Sequence, residues 1–208
     1  IEEGFGLVYE GMLVVTEVLA LTELGRFTEA REVGQRGHAA AVQAGVTYGQ
    51  GWLAMNIARA SRFTAAVTEV DTWAREGAAC FELLGIVPLR QWSLYGAAWA
   101  LALTGDKEGA RATCEQVRGL DPGHVQLMAP EALRAEAALA ALDGDRATAI
   151  ELLRDAAELA AKLDLVVLEL GALHDLVRLD EAEGLLERIE TVADYAAGEL
   201  AAAIVVHA

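Results

Sequence analysis

Residues 20–30 read ALTELGRFTEA: an apolar helical run reaches Leu24-Gly25-Arg26, and Ala30 follows five residues after the glycine. Gly25 accepts the left-handed conformation that ends a helix, and the residues after it open another. A small residue at Ala30 lets the two helices approach closely just past the turn. The same interruption returns as IARASRFTAA, ALALTGDKEGA and ALAALDGDRATA, pairing Ser61 with Ala66, Gly105 with Ala110 and Gly144 with Ala149. A degenerate fifth copy, VRLDEAEGLLERI, puts Asp180 near the hinge. One breaker per unit at intervals of roughly 35–45 residues is the mark of stacked helical hairpins.

Composition agrees with helices. The chain has 208 residues, is 54% hydrophobic and 23% charged, and holds only 3 prolines. That suffices for a buried core and excludes a disordered chain. Runs such as EALRAEAALAAL consist of strong helix formers. Periodicity places helices at about 6–24, 27–44, 47–60, 63–84, 89–104, 107–119, 130–142, 145–163, 166–178, 181–193 and 196–207. Asp121-Pro122-Gly123 reads as a helix-ending turn, and Pro130 as the first turn of the next helix. The expected fold is all-α: an α-α superhelix of about five tetratricopeptide-like hairpins, forming one domain over residues 1–208. Ile1 at the start and IVVHA at the end give the expectation of a domain excised from a longer protein.

The net charge is −16 and the pI near 4.6. Such a surface repels phosphate backbones and anionic lipid, so direct nucleic-acid contact and membrane association are not expected. The charge also keeps an alanine-rich helical protein in solution. Cys80 and Cys114 lack metal or disulfide spacing and fall on apolar faces, which suits a reducing, cytoplasmic setting. No basic leader segment precedes the first helix. Arg111, Arg118, Arg146 and Arg154 are separated by Glu115, Glu151 and Asp155, as in i,i+4 helix pairs.

No phosphate-binding loop, HExxH, calcium loop or GxSxG is present, and His38, His124, His174 and His207 are scattered. The expectation is a non-enzymatic protein with no cofactor and no metal. The suggestive cluster is Trp92, Tyr95 and Trp99, spaced along one helix. Residues about 13, 10, 6 and 2 before each hinge tend to face the inner groove of a hairpin array. They give Trp92, Tyr95, Trp99 and Leu103 before Gly105. They give Tyr48, Gly51, Met55 and Arg59 before Ser61, and Glu131, Arg134, Ala138 and Leu142 before Gly144. A groove lined by Tyr48, Met55, Arg59, Trp92, Tyr95, Trp99 and Arg134 suits an apolar peptide, an aromatic small molecule or a sugar. Ordinary core packing produces the same aromatic stripe, so the spacing leaves both readings open. Trp52 and Trp73, at neighbouring offsets, read as core.

The hinge-plus-alanine unit resembles the tetratricopeptide repeat, with Pro122 where that family often has its closing proline. The strings GRFTEAREVGQRGHAAAVQAG, PLRQWSLYGAAWALALTGD and APEALRAEAALAALDGDRATAIELLRDAAELA resemble the helical-repeat region of large LuxR-family transcriptional regulators. The resemblance implies a segment between an ATPase module and a helix-turn-helix. In that setting it receives a signal, a small-molecule effector or a protein partner, and restrains the ATPase until it does. The alternative is a free-standing tetratricopeptide adaptor for protein–protein interaction; the flanking sequence discriminates the two.

Overall fold

The computed structural model describes the backbone of residues 2–64, 66–120, 128–196 and 199–208, and side chains for 12–64, 66–120, 128–196 and 201–208. The turn expected at Asp121-Pro122-Gly123, and His124, lie outside the described residues. The described residues form eleven helices and no strand: α1 (Glu2–Glu23), α2 (Phe27–Ala44), α3 (Thr47–Ser61), α4 (Val67–Leu83), α5 (Val87–Leu103), α6 (Lys107–Arg118), α7 (Ala129–Asp143), α8 (Arg146–Lys162), α9 (Val166–Arg178), α10 (Leu186–Ala193) and α11 (Glu199–His207). None is long and apolar enough to cross a membrane.

The hinges behave as glycine chemistry demands. Gly25, Gly105 and Gly144 have φ of 72°, 83° and 85°, and Asp180 takes the same left-handed turn at 58°. Aspartate tolerates that region because its short polar side chain can bond locally. In the next helix Ala30, Ala110 and Ala149 are each fully buried. Asp106 and Asp145 cap α6 and α8 by accepting from the N–H groups of Gly109 and Thr148.

The Ser61 hinge departs from the expected register. No glycine is available there, Arg62 stays right-handed, and the connection runs to Ala66. Helix α4 therefore begins at Val67, not 63. The fourth residue of α4, fully buried Val70, takes the place that Ala30, Ala110 and Ala149 hold in their helices. Ala66 is only half-buried. Likewise α10 begins at Leu186, later than the expected 181, and its fourth residue, Ile189, is fully buried.

Packing sorts the helices into two layers. Each of α1–α9 packs on the next, and the odd-numbered helices also pack on one another: α1 on α3, α3 on α5, α5 on α7, α7 on α9. The stack curls enough that Glu23, Gly25 and Phe27 of the first hairpin share a narrow cleft with Val167, Leu170 and Ala201 near the C-terminal end.

Basic residues on the outer layer join hairpins. Arg111 pairs with Asp143 at 2.9 Å, Arg118 with Glu136 at 3.3 Å, and Arg146 and Arg154 with Glu181 at 3.1 and 3.0 Å. These replace the expected i,i+4 pairs.

Candidate functional site

The inner layer holds a charged cluster where a helical array usually has a solvent-filled groove. Its centre is Glu131, in the first turn of α7 and 1% exposed. The Trp92 indole N–H of α5 donates to Glu131 Oε2, and Arg59 Nε of α3 donates to Oε1 at 3.2 Å. Arg62, just past α3, reaches Oε1 at 3.6 Å. Arg59 also bonds Asn56 Oδ1 at 3.3 Å and lies 3.5 Å from Glu23. Asn56 is oriented in turn by donating to the Trp52 carbonyl at 2.8 Å.

A second group adjoins it. Arg134 Nε donates to Asp175 Oδ2 of α9 at 2.9 Å, and Arg178 Nη1 stands 3.6 Å from Asp175 Oδ1. Guanidiniums lie over indoles: Arg59 lies 4.9 Å from the Trp92 ring centre, and Arg62 and Arg134 lie 5.3 and 6.0 Å from that of Trp99. Such stacking offsets part of the cost of burying a cation.

Two glycines make the room. A Cβ on Gly96 would lie 3.2 Å from Arg62 Nη2, and one on Gly171 would lie 2.7 Å from Arg134 Nη1. Glycine inside a helix costs roughly 0.5–1 kcal/mol relative to alanine. Here it admits a guanidinium against the backbone.

Burial governs the ionisation of this cluster. It pushes the Glu131 carboxyl up, but the Arg62 and Arg59 guanidiniums and the Trp92 N–H more than offset it, so the group is held below the ordinary carboxylate value. Glu23 is pushed up by burial, with Arg59 opposing, so its ionised form is disfavoured. Burial pulls Arg62 down, against the attraction of Glu131. Arg62 Nε and Nη1 and Arg134 Nη1 are buried without a hydrogen-bond partner.

Four of the seven residues expected on the inner surface meet in this cluster: Arg59, Trp92, Trp99 and Arg134. Met55 packs beside it, fully buried with Phe81, Leu89 and Trp92. Tyr95 does not join it. The half-buried ring packs on the other side, with Leu94, Val117 and Leu120, towards Cys114 and Glu136. A step of three residues turns a helix about 60° short of a full circle, which is enough to move Tyr95 out of the stripe. Tyr48, 37% exposed, sits at the edge against Trp52. Glu131 and Arg62 were not among the expected residues, although the hinge offsets do give Glu131.

At the hinge end of α5, α7 and α9 the cluster borders a cavity of about 200 Å³. Trp99, Arg134, Asp175 and Arg178 line it, with apolar walls that include Leu103 and Leu142. No group of three or more His, Cys, Asp or Glu among the described residues is placed to hold a metal ion. Neither a protein-family model nor a curated protein matches the chain.

Proposed function

We propose that this chain is the signal-receiving and protein-interaction helical-repeat segment of a LuxR-type transcriptional regulator, working in the cytoplasm and without catalytic chemistry. The observation that supports a receiving role is the cavity bounded by Trp99, Arg134, Asp175 and Arg178 at the hinge end of three inner helices. A ligand or partner there touches α5, α7 and α9 at once, so it favours one curvature of the stack over another. A differential affinity of a few kcal/mol between curvatures shifts the population enough to be read by an attached module. The regulator setting rests on the sequence resemblance, an argument by analogy.

A transcriptional reporter driven by the full reading frame tests this. Arg178→Gln, at the cavity mouth, is expected to change the response, while Glu151→Gln on the outer face leaves it unchanged. A reading frame lacking both a phosphate-binding loop on the N-terminal side and a helix-turn-helix on the C-terminal side would instead support the adaptor.

A further inference from the structure

From the inner cavity we infer a binding site for a small monocarboxylate with a flat apolar body, which deepens the proposed signal-receiving role and rests on it. Arg59, Arg62, Arg134 and Arg178 are four of only 16 basic residues in a chain of net charge −16, and they gather on one inner surface. Among the described residues they pair with three carboxylates, Glu23, Glu131 and Asp175, which leaves this cluster one positive charge in excess. Arg134 is 3% exposed and lines the cavity, with its unpartnered Nη1 packed against Gly171. The Arg178 side chain, 47% exposed at the mouth, makes no hydrogen bond among the described residues, and its nearest carboxylate oxygen is 3.6 Å away. An arginine with open donor sites at the mouth of an apolar cavity favours a ligand that brings an anionic oxygen, because charge-assisted bonds are the strong ones.

The remaining walls select the rest of the ligand. Trp99 presents a ring, and Ala102, Leu103, Ala138, Leu142 and Leu153 are apolar. A volume of about 200 Å³ falls below the roughly 300 Å³ at which drug-sized sites begin. One ring or a short branched chain with one acid group fits that space. Asp175, on the cavity wall, repels a second negative charge, so a carboxylate is favoured over a phosphate dianion.

Titration calorimetry of the 208-residue chain with benzoate, benzamide and inorganic phosphate tests the assignment. Benzoate is expected to bind at least about tenfold more tightly than the isosteric but uncharged benzamide, and phosphate more weakly than benzoate. Arg178→Gln is expected to weaken benzoate about tenfold. Ala138→Phe, which fills the cavity without removing a charge, is expected to abolish binding. Circular dichroism establishes that both variants are folded. Equal affinity for benzoate and benzamide, or benzoate binding untouched by Ala138→Phe, overturns the site, and tighter binding of phosphate overturns the carboxylate. No benzoate binding by the wild type, with the reporter still altered by Arg178→Gln, overturns the ligand class and leaves the regulator reading standing. Benzoate binding with an unaltered reporter does the reverse.

Discussion

Helix α5 is buried almost all round between Leu89 and Ala102, whereas its hairpin partner α6 buries only Ala110, Thr113, Cys114 and Val117. The contrast recurs between α3 and α2: α3 is buried nearly continuously from Gly49 to Ser61, and α2 buries Phe27, Ala30 and Gly34. Outer helices have one apolar stripe and a wet face, so their charges pair across hairpins in water. Inner helices are enclosed by neighbours on several sides, so Arg59, Arg62 and Glu131 must neutralise one another without solvent. The same residue types therefore carry different energies in the two layers. A carboxylate outside is replaceable, and one inside is held in place by the cations that surround it.

Removing the inner carboxylate is the severest test of that contrast. Glu131→Ala leaves Arg59 and Arg62 buried without their shared anion, an arrangement that costs about 3–5 kcal/mol. Urea denaturation is expected to show this as a lower midpoint. A midpoint near wild type would mean that water reaches the cluster.

Ala149→Leu probes the contact between layers. Ala149 is fully buried where α8 meets α7, and overpacking there costs about 1–3 kcal/mol. A substitution at exposed Glu151, two residues on, stays within about 0.5 kcal/mol. Equal midpoints for the two variants would break the assigned register.

At the outer staple, Arg154→Ala removes an ion pair to Glu181 whose arginine is 61% exposed. The expected loss is about 0.2–1 kcal/mol, shrinking further in salt.

The smallest effect is that of pH. Burial pulls the imidazoles of His38 and His174 below the ordinary value of 6.5. Glu76 opposes this at His38. Asp175 opposes it at His174, where His207, Arg178 and Arg134 add to the lowering. The unfolded chain takes up these protons first. The contribution to stability is thus complete above 6.5 and declines as pH falls through that value. Thermal melts between about pH 7.5 and 5.5 are expected to show a gentle decline, flatter when both residues are replaced by Gln.

The hairpin array was legible because its punctuation is chemical. Gly25, Gly105 and Gly144 are needed for left-handed turns, and Ala30, Ala110 and Ala149 for close approach. Asp180 was legible only by position, since its conformation depends on context. The Ser61 hinge misled because SRFTAA continues helical composition without a breaker, and Ala66 mimicked the register that Val70 holds. In the site, Arg59, Trp92, Trp99 and Arg134 followed from their offsets. Tyr95 did not, because its position three residues after Trp92 turns it about 60° off the stripe. Glu131 was hidden by the expectation that carboxylates on helices are solvated. The mid-helix glycines Gly96 and Gly171 were the available signal: neither ends a helix, so each must make room for something.

A pair of double-mutant cycles compares the layers directly: Arg62–Glu131 inside and Arg154–Glu181 outside, each read from unfolding free energies. Enclosure of the inner layer predicts a coupling of about 2–3 kcal/mol for the inner pair and about 0.2–1 kcal/mol for the outer one. Equal couplings would contradict it, because the two pairs would then share the same solvent.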